Sequence, residues 1–296
     1  MKNKDLNFSR IVAGVMSWGE WGSNFSPKEC LRFIDACLDM GVTTFDHADI
    51  YGHYTTETLF GAATNGSSTL RQNMQLVSKC GIKLVTPNRP AYRIKSYDTS
   101  KAHILRSTEQ SLRNLRTDYL DLLLIHRPSP IMNPHEIAEA FTSLLESGKV
   151  LQVGVSNFTA TQFDNLDQLI PLACNQIEVS LLYRYPFVNG TLEQLVTKGR
   201  MAMAYSTMAR GAFFEHPPHE SVQRIKFVAR RLETKYDATF DQIITAWILK
   251  HPANIYPIMG STKIQRIQSA VKALSIEITR EEWFMLWEAA VGDEVP

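Results

Sequence analysis

The sequence predicts an α/β fold of the (β/α)8 TIM barrel class, as a single domain over residues 1–296. Two observations predict it: eight short apolar or β-branched segments alternate with longer segments of helical period, and no Gly/Ser-rich linker divides the chain. Regular βα alternation favours a parallel sheet with right-handed crossovers, and eight repeats favour closure. An open doubly wound sheet is the alternative, but GVMSWGEWG after the first strand lacks the G-x-G-x-x-G spacing.

Each predicted strand precedes a predicted helical segment. The strands are RIVAGVM (10–16), TTFDHAD (43–49), MQLVSKC (74–80), LDLLLIH (120–126), VLQVGVSN (150–157), ACNQIEVSL (173–181), MAMAYS (201–206) and IYPIMG (255–260). The helical segments after them are 27–41, 55–64, 101–116, 135–148, 160–170, 191–199, a long region ending at Trp247, and 264–274. Segments 81–99 and 207–220 are irregular and follow the third and seventh strands. We therefore expect both loops on the carboxyl-terminal face of the barrel, where substrate loops lie.

Composition and charge narrow the possible functions. The chain is 44% hydrophobic and 21% charged, which is typical of a folded protein. Its formal net charge is +1 with both signs interspersed, so we expect no nucleic acid partner. No 18 apolar residues run together and no apolar segment follows MKNKDLNFSR, so we predict a cytoplasmic protein that does not contact membranes. No exposed apolar stripe is apparent, which favours a monomer.

Four ionisable side chains lie at or just after the ends of three consecutive predicted strands. Asp46 and Tyr51 lie at the end of the second strand and in its loop, Lys79 ends the third strand, and His126 ends the fourth. Each alone has a structural explanation, such as turn capping, solvation or packing. Because the carboxyl ends of barrel strands converge on one site, their joint placement favours a shared catalytic function.

These four groups suit proton delivery to a carbonyl oxygen. A free phenol has a pKa near ~10, and an adjacent ammonium favours the phenolate, so we expect Lys79 to lower the pKa of Tyr51. Asp46 compensates the lysine charge. His126 either donates a hydrogen bond to the substrate oxygen or shares the proton with Tyr51.

Two other barrel chemistries remain open on the residues alone. A metal-dependent hydrolase would draw on Asp46, His47, Asp49, His53 and His126. Against it, His47 directly follows Asp46 on a strand and faces the opposite side. A Schiff-base aldolase would use Lys79 as its nucleophile. We predict no metal site.

Several longer motifs resemble the aldo-keto reductase family. They are GVTTFDHADIYG (41–52), LVSKCG (76–81), LRTDYLDLLLIHRP (115–128), VGVSNF (153–158), NQIEVS (175–180), AYSTMARG (204–211) and PIMGSTKIQRI (257–267). They span nearly the whole chain in the family's order. The resemblance implies a (β/α)8 barrel that reduces aldehydes or ketones with NADPH, in a bacterial-type branch with a short C-terminal segment.

The resemblance also implies roles for individual residues. The implied catalytic tetrad is Tyr51 as proton donor with Asp46, Lys79 and His126. The implied cofactor contacts are Gly14, Met16, Asp46, Ser156, Asn157, Gln176, Tyr205, Ser206, Met208, Arg210, Gly211, Gly260, Ser261, Thr262, Lys263 and Arg266. Among these, the amide and hydroxyl groups of Ser156, Asn157 and Gln176 contact the nicotinamide carboxamide, and Tyr205 stacks on the nicotinamide ring.

The segment GSTKIQR (260–266) resembles the family's clamp on the adenosine 2'-phosphate. A Gly-Ser-Thr turn before a helix offers N–H groups and hydroxyls to an anion, and Lys263 and Arg266 add positive charge. An ordinary helix cap with solvated cations is the alternative. The resemblance favours NADPH over NADH.

The substrate is predicted to be a small carbonyl compound. Trp18 and Trp21, after the first strand, are candidates for its pocket together with Tyr51 and His126, although a packing role is the alternative for both tryptophans. A regulatory or sensor protein that binds NADPH with little turnover is the remaining alternative. The complete tetrad favours an enzyme.

Overall fold

Short strands form the centre of the molecule. The computed structural model describes residues 7–295, which form ten strands: β1 (Val12–Gly14), β2 (Thr44–Asp46), β3 (Gln75–Cys80), β4 (Ile82–Lys83), β5 (Ser96–Tyr97), β6 (Leu120–Ile125), β7 (Val150–Ser156), β8 (Cys174–Glu178), β9 (Met201–Tyr205) and β10 (Tyr256–Met259). Eight of them close into a parallel barrel in the order β1-β10-β9-β8-β7-β6-β3-β2. Each of the eight predicted strand segments contains one of these strands, so the predicted (β/α)8 fold is confirmed.

Helices cover the outside of the barrel. Within residues 7–295 the α-helices are α1 (Pro27–Asp39), α2 (Tyr51–Tyr54), α3 (Thr56–Thr64), α4 (Ser68–Gln72), α5 (Lys101–Leu115), α6 (Pro134–Glu146), α7 (Ala160–Asp167), α8 (Thr191–Lys198), α9 (Glu220–Tyr236), α10 (Phe240–Leu249), α11 (Ile264–Lys272) and α12 (Arg280–Val291). Short 3₁₀ helices span Tyr185–Phe187, Ala209–Phe214 and Ala273–Ser275. None of the described helices combines the length and apolar character that crossing a membrane requires.

Side-chain caps fix where several helices begin. Before α1, the Ser26 hydroxyl accepts from the Glu29 N–H at 3.3 Å, and the Ser26 N–H donates to the Glu29 carboxylate at 2.8 Å. Such a capping box satisfies N–H groups that the first helical turn leaves unpaired. A capping box at Thr239, two residues after the left-handed Asp237 (φ 47°), divides the predicted long helical region into α9 and α10.

Alternation along each strand decides which side chains enter the barrel. The buried cluster inside the barrel consists of Val12, Val77, Leu122, Leu124, Cys174, Met203 and Ile258. Strand residues two apart point to the same side. Lys79 lies two residues beyond Val77, and Gln176 lies two beyond Cys174, so both continue the inner face towards the carboxyl ends of the strands. The site is therefore built directly on top of the inner core.

Two loops have more structure than the sequence indicated. The segment 81–99 contains β4 and β5, which pair antiparallel. After β2 the chain turns sharply through α2, where Gly52, His53 and Tyr54 have left-handed φ angles of 55°, 56° and 70°. Glycine adopts this conformation easily, whereas the two non-glycine residues are held in it by surrounding contacts.

Candidate active site

A buried ion pair joins the ends of β2 and β3. Lys79 Nζ donates to Asp46 Oδ2 at 2.8 Å and to the backbone oxygen of His47 at 2.6 Å. Burial alone would lower the pKa of the Lys79 ammonium, but the charges and hydrogen bonds of Asp46 and Tyr51 raise that pKa above its usual value. Lys79 is therefore a fixed cation within the barrel.

The α2 turn brings a phenol to this ion pair. Lys79 Nζ lies 3.1 Å from the Tyr51 hydroxyl, and the Tyr51 side chain is buried. Burial raises the pKa of the Tyr51 phenol, and the Lys79 ammonium offsets only part of that rise. The expected net lowering is therefore wrong in direction, because the loss of water outweighs the nearby charge. Tyr51 is protonated at neutral pH.

His126 adds an imidazole from the next strand of the barrel. Its ring lies edge-on to the Tyr51 ring, with centroids 6.0 Å apart, and within residues 7–295 its buried Nδ1 has no hydrogen-bond partner. Burial lowers the pKa of His126 well below its usual range, and the positive charge of Lys79 lowers it further. The ring is therefore neutral and has one N–H to donate.

Amide and hydroxyl groups form a connected network beside the ion pair. Gln176 Nε2 donates to Asp46 Oδ1 at 2.8 Å. The Tyr205 hydroxyl donates to Asn157 Oδ1 at 2.6 Å, and Asn157 Nδ2 donates to the Ser156 hydroxyl at 2.7 Å. The structure thus places four of the predicted cofactor contacts together, from the ends of β7, β8 and β9.

Two of the predicted cofactor residues are glycines that lie where β1 meets β10. A Cβ atom on Gly14 would lie 2.9 Å from Ile258 Cγ2 and 3.3 Å from the Gly260 Cα, whereas a Cβ atom on Gly260 would have no other atom within 4 Å. Met16, two residues beyond Gly14, is 45% exposed. A side chain at position 14 would therefore collide with β10 and the residue after it, which explains the glycine there.

The loop after β9 has a constrained backbone. Ser206, Arg210 and Gly211 have φ angles of 56°, 54° and 94°. Arg210 Nη2 donates to Glu178 Oε2 at 2.6 Å, which ties the loop to the end of β8. Met208, in the same loop, is partly buried. The four predicted cofactor residues of this loop therefore lie on the same face of the barrel as the network.

Two cations without acidic partners adjoin the turn after β10. Lys263 and Arg266 are exposed, and no described residue forms an ion pair with either. The Ser261 hydroxyl accepts from the Lys263 N–H at 3.1 Å, and α11 begins at Ile264 without a side-chain cap. Free N–H groups, hydroxyls such as that of Thr262, and two uncompensated cations fit a phosphate group.

The extent of the family match decides the identity of the chain. The model of the aldo/keto reductase family matches residues 10–290, which include all eight barrel strands and the polar residues described above. The chain belongs to the aldo-keto reductase family.

The relatives of this aldo-keto reductase include proteins that are named as oxidoreductases or reductases. It is 46% identical over 299 residues to the uncharacterized oxidoreductase YcsN of Bacillus subtilis (strain 168), covering 99% of this chain and 98% of that protein. It is 40% identical over 292 residues to a 6-dehydroglucose reductase of Agrobacterium fabrum, covering 98% and 97%. A solved aldo/keto reductase from Klebsiella pneumoniae, in complex with NADP and acetate, matches with a TM-score of 0.74 at 26% identity and covers 94% of this chain and 89% of that one. The family and these relatives support carbonyl reduction.

The two tryptophans predicted for the substrate pocket differ in their surroundings. Trp18 is 1% exposed, and its ring packs 4.8 Å from Phe33 and 6.3 Å from Phe60, between centroids. Trp18 therefore belongs to the core between barrel and helices and does not line the pocket, because the loop after β1 turns it back over α1. Trp21 lies 6.0 Å from the Tyr51 ring and stays a candidate for the pocket of this aldo-keto reductase.

Two side-chain contacts at the rim were not predicted from the sequence. Arg127, directly after His126, places Nη2 3.4 Å from the Tyr205 hydroxyl. His53 Nδ1 lies 3.2 Å from Glu20 Oε2, at the entrance beside Trp21. The adjacency of Arg127 to a strand-end histidine was a usable signal. No sequence signal indicated the contact between His53 and Glu20, because it depends on how two loops meet.

The candidate metal ligands do not converge. The His47 ring packs edge-on against Phe60, with centroids 4.5 Å apart, on the outside of the barrel. His47 thus faces away from the carboxylate of Asp46, as its position on the strand predicts. In the described part of the chain, no three His, Cys, Asp or Glu side chains are arranged to hold a metal ion.

Proposed function

We propose that this enzyme reduces a small aldehyde or ketone to the alcohol with NADPH, and that Tyr51 donates the proton. The observation that carries the proposal is the 3.1 Å contact between the Lys79 ammonium and the Tyr51 hydroxyl inside the barrel. A phenolate that forms there lies beside a fixed cation, so the charge that develops in the transition state is stabilised. Asp46 holds the ammonium in place through the 2.8 Å ion pair.

The chain's own residues handle the proton. The cofactor, when bound, supplies a hydride to the carbonyl carbon. As the carbonyl oxygen gains negative charge, the O–H bond of Tyr51 breaks and the O–H bond of the alcohol forms. Neutral His126 donates a hydrogen bond to the same oxygen and orients it. Because burial raises the pKa of Tyr51, the phenol is in the acid form that reduction requires.

The choice of NADPH rests on the turn after β10. Lys263 and Arg266 lack acidic partners among the described residues, and an adenosine 2'-phosphate is the anion they suit. The network of Ser156, Asn157 and Gln176 offers amide and hydroxyl groups to a carboxamide. The NADP complex of the Klebsiella relative supports the same assignment.

The aldolase alternative fits less well. The pKa of Lys79 is raised by Asp46 and Tyr51 in spite of burial, so its nitrogen stays protonated. An ammonium has no lone pair with which to attack a carbonyl carbon. The sensor alternative differs from the enzyme only in turnover, so an assay of NADPH oxidation with carbonyl substrates distinguishes the two.

The test is the loss of NADPH absorbance with a panel of aldehydes and ketones, repeated with NADH. The panel includes 6-dehydroglucose, for which a relative is named. Tyr51→Phe should lower turnover by about 10²–10⁴-fold and leave the NADPH Kd close to that of the wild type, because only the proton donor is lost. The matched control is Tyr119→Phe: Tyr119 precedes β6 at the other end of the barrel and stacks against Arg71 at 3.8 Å.

Two results would count against the proposal. NADPH binding without turnover on any substrate would favour the sensor, and a fully active Tyr51→Phe enzyme would require another proton donor.

A further inference from the structure

A guanidinium without an acidic partner lies at the mouth of the site. Arg127 directly follows His126 at the end of β6 and is partly buried. Its one side-chain hydrogen bond within residues 7–295 is the 3.4 Å contact from Nη2 to the Tyr205 hydroxyl. A guanidinium has five N–H donors. Most donors of Arg127 are therefore free for a ligand, beside the proposed position of the reacting carbonyl.

The loop after β3 concentrates positive charge on the same face. Residues 81–99 contain one acidic residue, Asp98, and four basic ones: Lys83, Arg89, Arg93 and Lys95. The net charge of the whole chain is only +1, so this loop is locally far more basic than the rest. The Asp98 carboxylate accepts from Ser100 at 2.7 Å and lies 3.6 Å from His103 Nδ1, and it does not pair with Lys95.

This loop is fixed against the turn that carries Tyr51. Asn88 Nδ2 donates to the backbone oxygen of His53 at 2.8 Å. The Arg89 guanidinium stacks on the Tyr54 ring at 4.3 Å, and the Tyr54 hydroxyl accepts from the Leu84 N–H at 2.9 Å. The basic loop therefore borders the catalytic turn and does not extend freely into solvent.

Arg127 directly follows His126, and Lys95 belongs to the basic loop that packs on the catalytic turn. Besides burial and Lys79, the charges that lower the pKa of His126 come from these two residues. Neither has a carboxylate partner among residues 7–295. Arg127 is partly buried whereas Lys95 is exposed, and a charge that is partly removed from water is stabilised by an opposite charge. Arg127 therefore suits an anionic ligand, with Lys95 as a second and more exposed cation.

We propose that the substrate is an anionic carbonyl compound, whose carboxylate or phosphate binds Arg127 and Lys95 while its carbonyl oxygen meets Tyr51 and His126. The inference rests on the proposed function and deepens it by naming the substrate class. The planar guanidinium suits two-pronged binding of an oxyanion, and the ammonium adds a second charge from the loop after the neighbouring strand β3. The substrate thus has an aldehyde or ketone at one end and an oxyanion at the other.

The test compares aromatic aldehydes that share the reacting group and differ in the charge of the substituent opposite to it. 4-Formylbenzoate, 4-formylphenyl phosphate and the neutral methyl 4-formylbenzoate are assayed for kcat/KM with NADPH. Wild type should favour an anionic aldehyde over the ester by about 10–100-fold, as expected for hydrogen bonds to a charged group. Comparing the two anions shows whether the site prefers a carboxylate or a phosphate.

Variants assign the preference to residues. Arg127→Gln should remove most of the anion-to-ester ratio, Lys95→Gln should reduce it, and Arg127→Lys should retain part of it. Arg93→Gln is the matched control, because Arg93 is an exposed cation of the same loop that does not act on His126. Its ratio should equal that of the wild type.

A binding measurement separates this proposal from the proposed function. Titration calorimetry follows 4-formylbenzoate and its methyl ester binding to the NADP+-loaded protein, without need for turnover. Arg127-dependent preference for the carboxylate supports the anion site even if no substrate is reduced, in which case only the proposed function fails. Equal binding of the acid and the ester overturns the anion-site proposal. A kcat/KM for neutral 6-dehydroglucose that exceeds the value for the anionic aldehydes, and that Arg127→Gln leaves unchanged, also overturns it. A weaker NADPH Kd in Arg127→Gln, with the substrate preference intact, overturns it too and assigns Arg127 to the cofactor.

Discussion

The Lys79 ammonium and the Asp46 carboxylate lie 2.8 Å apart inside the barrel, and the Lys79 side chain has no exposed surface. An ion pair that is removed from water in this way depends on both members, because either one alone is a buried charge. Gln176 donates to the second carboxylate oxygen, so Asp46 is held from two sides. The ion pair therefore contributes to the stability of the fold and also holds a positive charge beside Tyr51.

Asp46→Asn should lower the free energy of unfolding by about 3–5 kcal/mol, because it leaves the Lys79 ammonium buried without its carboxylate. Adding Lys79→Met to this variant should recover part of the loss, since the unpaired charge disappears. Urea unfolding measures both effects. Glu139→Gln, which breaks the exposed pair with Lys101, should change stability little. Equal effects of the buried and the exposed substitution would contradict the argument.

The pH profile of carbonyl reduction should be flat through neutrality. The pKa of Tyr51 is raised, so the acid form persists beyond its usual value and the basic limb should lie above about pH 10. The pKa of His126 is lowered well below its usual range, so no acidic limb should appear near about pH 6.5. Steady-state kcat/KM from about pH 5.5 to about pH 10 checks both. A limb near pH ~6.5 would show that His126 gains a proton during the working cycle.

Lys263→Gln and Arg266→Gln should each raise the NADPH Kd by about 10–100-fold, because each removes a proposed charged contact to the 2'-phosphate. The NADH Kd should stay near the wild-type value, since NADH has no such phosphate. Fluorescence titration with both cofactors measures the difference. Lys272→Gln serves as the control, because Lys272 is an exposed cation at the opposite end of α11. Parallel loss of NADPH and NADH affinity would place the two cations elsewhere on the cofactor.

Trp18→Ala and Trp21→Ala should affect different properties. Trp18 is almost fully buried among aromatic rings, so its removal should cost about 3–5 kcal/mol of stability. Trp21 contacts Tyr51 at the entrance, so its removal should raise KM and leave the melting temperature nearly unchanged. Thermal unfolding and steady-state kinetics on both variants separate the two roles. A raised KM in a stable Trp18→Ala protein would return Trp18 to the pocket.

The barrel was predictable because its signal repeats. Eight apolar runs mark the strands, and strand-end positions bring Asp46, Lys79 and His126 to one face whatever the loops do. The left-handed conformation of His53 was not predictable, since contacts such as the Asn88 hydrogen bond maintain it. Trp18 was misplaced because an aromatic residue just beyond a strand can turn towards the mouth or towards the helices. The direction of the Tyr51 pKa shift depends on burial, which no local motif specifies.

The Gln176–Asp46 hydrogen bond joins positions 130 residues apart and links two halves of the chain with different tasks. The groups proposed to handle the proton, Asp46, Tyr51, Lys79 and His126, all precede Gly148, whereas the amide network and the turn proposed to bind the phosphate follow it. Gly148 is an exposed turn residue with no neighbouring atom within 4 Å of an added Cβ. A chain cut at this turn would yield two complementary fragments, each inert alone, and recovery of activity on mixing would report that the halves had reassembled.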